Sequence, residues 1–238
     1  DFALALLSGT FLAVHFATWI TSLEYTSVAS SVVFVDSAPI WVALLSPFLL
    51  KERLSPLAWS GIALAFVGVM VVVLSDSCQI TSHQLLCPDV ASFLSGRTFL
   101  GNFLALLGAL ASAAYLMIGR HLRAGLSLTA YVFTVYGAAA VVLWIMVLLS
   151  HQPIFGFPPL AYGWFFLLAL IPQMIGHSSF NYALGYLPAA FVAVMLLGEP
   201  IGSTILAVLL LKEVPAAFKV WGGILILLGI YLVSREQK

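Results

Sequence analysis

Two carboxylates lie in the middle of long apolar runs. Asp36 follows Tyr25 by eleven residues, and Glu199 follows Pro188 by the same number. At about 1.5 Å per residue of helix, both side chains are expected near the middle of a membrane span. An ionised carboxylate in lipid costs at least a few kcal/mol, so each should face a water-filled cavity, a partner or a proton. A role in binding a solute or a proton is the first interpretation.

Each carboxylate also precedes a proline, which supplies a second interpretation. Pro39 and Pro200 each remove a backbone donor, which kinks the helix and leaves one carbonyl unpaired. A protonated Asp36 or Glu199 carboxyl could donate to such a carbonyl and have only a structural role. The sequence leaves both interpretations open.

His15 and His177 are the next candidates, because histidine changes its charge near neutral pH. No basic residue lies beside them. Either imidazole could therefore pair with Asp36 or Glu199, or donate to a carboxylate of a solute. An interhelical hydrogen bond is the alternative.

Several large polar or aromatic side chains could line a cavity for an amphipathic solute, which needs apolar area and a few fixed polar groups. Packing or anchoring at the membrane interface is the alternative for each of them. They are Trp19, Trp41, Tyr115, Gln173 and Asn181.

The elements that must position these residues are membrane-spanning helices. Hydrophobic residues form 63% of the chain and charged residues 8%, which is typical of a protein dissolved in lipid. Long unbroken apolar runs favour helices over barrel strands. The composition gives no sign of nucleic-acid binding. Eight charge-poor runs, labelled A to H, predict an all-α transmembrane bundle: 2–23, 25–50, 54–75, 98–119, 126–150, 162–184, 188–211 and 216–234.

When the sequence is aligned with itself so that Tyr25 pairs with Tyr186, its first and last parts match. This alignment is called the repeat shift below. Fifteen of the fifty positions from Leu23 to Val72 are then identical. The less common matches carry the weight, and besides the tyrosines they include Pro39 with Pro200, Lys51-Glu52 with Lys212-Glu213, Gly61 with Gly222 and Gly68 with Gly229.

Each step of the repeat advances along the chain by an odd number of helices. It relates spans A, B and C to F, G and H, so each step advances five helices and reverses their direction. The sequence therefore predicts an inverted repeat of five plus five helices, of which the equivalents of D and E would lie about 63 residues before Asp1. The predicted organisation is 1–75 for three helices of the first repeat, 76–97 for a loop and 98–238 for the complete second repeat.

Loop charges predict the orientation, because cytoplasmic loops carry more Lys and Arg. A cytoplasmic start of span A places six basic residues inside (Lys51, Arg53, Arg120, Arg123, Arg235 and Lys238) and three outside (Arg97, Lys212 and Lys219). Both termini are then cytoplasmic, and the plasma membrane is the expected location. The 76–97 loop lies outside, where Cys78 and Cys87 form a disulfide or remain two free thiols.

Short motifs resemble the EamA family of the drug/metabolite transporter superfamily. In the first part they are Thr26 to Ser31, Ala38-Pro39, Leu49 to Leu54 and Trp59 to Gly68, and in the second Gly198 to Ile201, Leu209 to Glu213 and Trp221 to Gly229. The resemblance implies a ten-helix inverted repeat that exports metabolites, amino acids or drug-like compounds. It also implies that the two helices absent here help to line the central cavity.

We therefore expect a secondary transporter without a cofactor or a metal, embedded in lipid and carrying a small solute. Protons or a counter-solute would drive it, and oligomers are compatible with the sequence. A non-transporting scaffold or a channel is the second hypothesis. An intramembrane enzyme is disfavoured, because no cluster of catalytic side chains occurs and His177, Ser178 and Ser179 point about 100° apart on a helix.

Overall fold

A computed structural model describes residues 1–77, 79–80, 85–86, 96–212, 215 and 217–235. Cys78 and Cys87 lie outside the described residues, as do Glu213 and Lys238. The α-helices are α1 (Phe2–Ser22), α2 (Val28–Val35), α3 (Ala38–Leu49), α4 (Pro56–Ser77), α5 (Gly96–Arg123), α6 (Leu128–Leu149), α7 (Pro159–Leu168), α8 (Ser178–Leu184), α9 (Ala189–Leu196), α10 (Glu199–Leu206) and α11 (Ala217–Ser234).

Shorter elements complete the described secondary structure. Two π-helical segments, Ala169–His177 and Ala207–Leu211, continue α7 and α10. The first contains Pro172, which has no backbone donor, so its turn widens locally. Strands Gln79–Ile80 and Leu85–Leu86 pair antiparallel in the loop after α4.

Within the described part of the chain, eight helical stretches are long and apolar enough to cross a membrane: Phe2–Ser22, Ser30–Leu49, Pro56–Val73, Gly96–Arg123, Leu128–Leu149, Pro159–Leu184, Ala189–Leu210 and Ala217–Ser234. They correspond to spans A to H in order. The predicted all-α membrane bundle is therefore confirmed.

The ends of the spans define two faces of the bundle. The Thr26 end contains the turns at 23–27 and 150–158 and the residue Lys212. The Glu52 end contains the turns at 50–55, 124–127 and 185–188. Lys51 and Lys212, which the repeat shift aligns, end the B and G spans on opposite faces with the same left-handed backbone, at φ 59° and 56°.

Spans C and H pack through backbone-to-backbone contacts. A Cβ added at Gly61 would lie 2.7 Å from the Gly229 carbonyl oxygen, and one at Gly68 would lie 2.7 Å from that of Gly222. The contacts show that α4 and α11 run antiparallel, and only residues without a side chain allow this approach. The repeat shift exchanges one contact for the other.

Span A is the centre of a second packing unit. It packs against α5 and α6, and its buried face includes Ser8, whose hydroxyl lies 2.8 Å from the Tyr131 hydroxyl. Span F, its equivalent in the repeat, differs, because no residue of Pro159–Leu168 is buried. One side of the bundle is thus packed around A, while the α7 part of F faces outward.

Candidate solute-binding cavity

A cavity of about 440 Å³ lies between spans B, C, G and H, in the half of the bundle next to the Thr26 end. Its walls are largely aliphatic and its deep end is acidic, because Asp36 and Glu199 both line it. The full lining is Trp19, Val28, Val32, Val35, Asp36, Val72, Val73, Glu199, Pro200, Ser203, Thr204 and Lys219. The structure thus brings together three of the nine residues predicted to bind a solute or proton: Trp19, Asp36 and Glu199.

Two helix breaks position the carboxylates. Span B is interrupted at Asp36 and Ser37, between α2 and α3, and span G at Leu197 and Gly198, between α9 and α10. The repeat shift places one break on the other. Discontinuous helices of this kind expose backbone groups and side chains at membrane depth, where irregular backbone is tolerated if it lines a cavity.

The prolines predicted to kink these spans lie directly after the breaks. Pro39 and Pro200 are each the second residue of the following helix. A proline is accommodated there because the first turn of a helix needs no backbone donor. The sequence thus starts a new helix shortly after Asp36 and at Glu199.

Neither carboxylate has a hydrogen-bond donor among the residues that the structure describes. Neither histidine pairs with one of them, so the pairing interpretation is not supported. A carboxyl-to-carbonyl bond at the proline breaks is likewise not seen in the described chain. Both acidic side chains therefore face the cavity without a hydrogen bond from the described residues.

Ser203, Thr204 and Lys219 belong to the lining but were missed by the sequence reasoning. The Ser203 hydroxyl donates to the Glu199 carbonyl at 3.0 Å, and the Thr204 hydroxyl donates to the Pro200 carbonyl at 2.7 Å. The sequence does contain a signal for Ser203, because a residue four positions after Glu199 lies on the same face of the helix.

The two predicted histidines do not line the cavity. His15 makes the interhelical hydrogen bond that was its alternative interpretation, with Nδ1 2.9 Å from the Gly108 carbonyl oxygen. Its ring stacks on Trp19 at 5.7 Å between centroids. His177 lies among Phe16, Tyr115 and Phe180, and its buried Nδ1 has no hydrogen-bond partner in the described part of the chain.

A buried polar cluster lies near the Glu52 end. The Tyr115 hydroxyl is 2.9 Å from Oδ1 and 2.7 Å from Nδ2 of Asn181, and this amide also donates to the Tyr136 hydroxyl at 3.2 Å. Tyr115 and Asn181 are 1% and 0% exposed, so the cluster joins α5, α6 and α8 without lining the cavity.

Trp41 and Gln173 also lie away from the cavity lining. The Trp41 indole donates to the Ser37 hydroxyl at 3.1 Å and so braces the break in span B. Gln173 lies in the first π-helical segment, where its backbone carbonyl accepts a weak hydrogen bond from Tyr136 at 3.5 Å. Their positions favour packing, which was the alternative for both.

The Glu52 end is closed by an ion pair and its neighbours. Glu52 Oε1 accepts from Arg120 Nε at 2.7 Å, and Oε2 accepts from the Ala189 backbone at 3.2 Å. Arg120 also donates to the Leu184 carbonyl at 3.1 Å. Glu52 thus joins the α3–α4 turn to α5 and to the turn before α9.

Equivalent positions at the two ends differ in burial. Val28 begins α2 at the Thr26 end and is 66% exposed, whereas Ala189, its equivalent under the repeat shift, begins α9 at the Glu52 end and is fully buried. At this pair of equivalent positions the Glu52 end is packed and the Thr26 end is exposed.

Known proteins with similar sequences or the same fold identify the kind of protein to which this architecture belongs. The chain is 24% identical over 237 residues to an uncharacterized transporter of Archaeoglobus fulgidus, covering 98% of this chain and 76% of that protein. It is 23% identical to the uncharacterized transporter YyaM of Bacillus subtilis, covering 92% and 68%. One crystal structure matches with a TM-score of 0.76 at 17% identity, covering 99% of this chain and 77% of that one, which shows the fold.

The family model of the EamA-like transporter family matches residues 1–74 and 99–235. These ranges contain every residue that lines the cavity and all of the eight spans except the first three residues of Gly96–Arg123. The chain is an integral membrane protein and a transporter, not an enzyme, and it belongs to the EamA-like transporter family.

Proposed function

We propose that the protein is a secondary carrier that exports small metabolites, amino acids or drug-like solutes by alternating access. Asp36 and Glu199 would bind the solute or a coupled proton. The observation that carries the proposal is their shared cavity, reached from two helix breaks that the repeat shift aligns and closed off from the Glu52 end. Two halves of opposite direction can exchange such an open end and a closed end by rocking.

Pseudosymmetric contacts support the inverted repeat. Gly61 contacts Gly229 and Gly68 contacts Gly222, and the repeat shift converts one pair into the other. A twofold axis in the membrane plane would produce such paired contacts. The halves would then swap their conformations when the carrier changes state.

The repeat also assigns a place to two further helices. Span A is covered by α5 and α6, so the equivalents of these helices would cover the exposed α7 part of span F. The coding sequence upstream of Asp1 tests this expectation. About 63 codons for two apolar spans would support it, and a start codon adjacent to Asp1 would contradict it.

We further propose that the Glu52 end is cytoplasmic and the membrane is the plasma membrane. The Glu52 end carries Lys51, Arg53, Arg120 and Arg123, which matches the usual bias of cytoplasmic loops. The cavity would then be open to the outside, as in the releasing state of an exporter. Impermeant labelling of single cysteines placed at 25 and 125 in intact cells would test the orientation, with only position 25 expected to react.

Counterflow in proteoliposomes tests the transport mechanism. A carrier gives saturable uptake of labelled solute that accelerates with unlabelled solute inside, whereas a channel gives no acceleration and a scaffold gives no flux. Labelled amino acids and aromatic amines form a suitable panel. Asp36→Asn and Glu199→Gln are expected to abolish counterflow, and Glu24→Gln, at the exposed Thr26 end, is the matched control. Unchanged counterflow in the Asp36→Asn/Glu199→Gln double variant would disprove the role of the carboxylates.

A further inference from the structure

Given the proposed carrier function, on which this inference rests, we infer that the cavity selects an amphipathic monocation, with an ammonium group at Asp36 and Glu199. The apolar part of the solute would lie against the aliphatic walls. This solute class follows from the hydrogen-bonding capacity, the charge and the shape of the lining.

The deep part of the cavity offers acceptors and few donors. The Asp36 and Glu199 carboxylates accept only, when ionised. The Ser203 and Thr204 hydroxyl protons are directed to the carbonyls of Glu199 and Pro200, so these hydroxyls present lone pairs to a ligand. A protonated amine, with up to three donors and no acceptor, complements this set.

Formal charge leads to the same class. Asp36 and Glu199 give the mid-span part of the lining a negative charge when they are ionised. Lys219, the third residue of α11, lies nearer the Thr26 end. A cation at the carboxylates would compensate their charge, and an uncompensated buried charge is strongly destabilising.

An apolar extension gives the solute room for a hydrophobic body. A second cavity of about 260 Å³ adjoins the first and shares Val72, Pro200, Thr204 and Lys219 with it. Its remaining walls are Ile201, Ile205, Val220, Gly223, Ile224 and Leu227. A small hydrocarbon or aromatic group fits such a wall, and the first cavity is within the usual size range of small-molecule sites, about 300 to 1,000 Å³.

The same features disfavour the other charge classes. An anion would approach two carboxylates in a medium of low dielectric constant, where like charges repel strongly. A zwitterion places its own carboxylate within a few ångströms of its ammonium group, and hence close to Asp36 and Glu199. Of three ligands with the same phenyl group, the cation should therefore bind best.

Equilibrium binding to the purified protein in detergent tests this order without requiring transport. The probes are 2-phenylethylammonium, phenylalanine and 3-phenylpropionate. They are a cation, a zwitterion and an anion that share a phenyl ring on a two-carbon chain. Isothermal titration calorimetry is expected to give a Kd for the cation at least tenfold lower than for the other two. Asp36→Asn and Glu199→Gln should each raise that Kd at least tenfold, and Glu24→Gln should leave it unchanged.

The wild-type series remains informative even if a variant fails to fold. Equal or tighter binding of the zwitterion or the anion would overturn the inference, as would no binding of any probe, or cation binding that both folded variants retain. Counterflow of labelled 2-phenylethylammonium then separates the two proposals. Cation-selective binding without counterflow would overturn the proposed carrier function and leave the inferred solute class intact. Counterflow of phenylalanine alone would support the carrier function and overturn the inferred solute class.

Discussion

Glu52 and Arg120 form an ion pair across the Glu52 end, with 2.7 Å between Oε1 and Nε. The pair joins segments that lie 68 residues apart in sequence. Because Glu52 also accepts from the Ala189 backbone, a single carboxylate connects the α3–α4 turn to both α5 and α9. In the proposed cycle these contacts must separate before a solute can enter from this end.

Removing the Glu52 charge should therefore open the Glu52 end more often. Hydrogen bonds to charged groups contribute about 1.5 to 3 kcal/mol, and partial solvent exposure of this pair places the loss near the lower figure. Glu52→Gln is expected to speed maleimide labelling of a cysteine at Ala189 about tenfold, measured from the Glu52 end in proteoliposomes without Cys78 and Cys87.

Arg53→Gln provides the matched control, because Arg53 is exposed in the same turn. In the Arg53→Gln variant, the cysteine at Ala189 should react with maleimide at the same rate as in the parent protein. Equal rates in Glu52→Gln and the parent protein would show that the ion pair does not hold this end closed.

The contact between spans C and H should be sensitive to a single methyl group. A Cβ at Gly222 would lie 2.8 Å from the Gly68 carbonyl oxygen, whereas a Cβ at Gly223 would meet nothing closer than Ile201 at 3.8 Å. Gly222→Ala is expected to cost about 1 to 3 kcal/mol of unfolding free energy through overpacking, and Gly223→Ala should not destabilise. Thermal unfolding in detergent measures both, and equal melting temperatures would contradict the close packing.

Asn181 should stabilise the fold through its buried partners. Asn181→Leu leaves the Tyr115 hydroxyl without its amide partner, at an expected cost of about 1 to 3 kcal/mol. Adding Tyr115→Phe removes the orphaned hydroxyl and should recover part of that loss. Denaturation of both single variants and the double variant gives the coupling energy, and strictly additive losses would refute the pairing.

Trp19 should affect solute affinity more than a lipid-facing tryptophan does. It lines the cavity, while Trp144 on α6 is 53% exposed. Trp19→Leu is expected to raise the KM for counterflow several-fold, because apolar contact with the solute is lost. Trp144→Leu serves as the control, and an equal KM in the two variants would remove Trp19 from the site.

The spans and the proline kinks within them can be predicted from the sequence alone. A span needs about 20 apolar residues, and that length is visible in one dimension. Pro39 and Pro200 likewise predict local kinks, because a proline acts on its own helix, and the structure shows breaks shortly before them, at 36–37 and 197–198. The repeat shift is also a property of the sequence, and it predicts related roles for spans B and G.

The set of side chains that share the cavity follows from the fold and not from the sequence pattern. Hydropathy gives the depth of a residue but not its direction around the helix, and direction depends on how the helices pack. Asp36 and Glu199 line the cavity, whereas Asn181, also a polar residue inside a span, bonds to Tyr115 within the bundle instead. Glu52 reaches Arg120 and Ala189 for the same reason, since contacts between distant segments are set by packing rather than by local sequence.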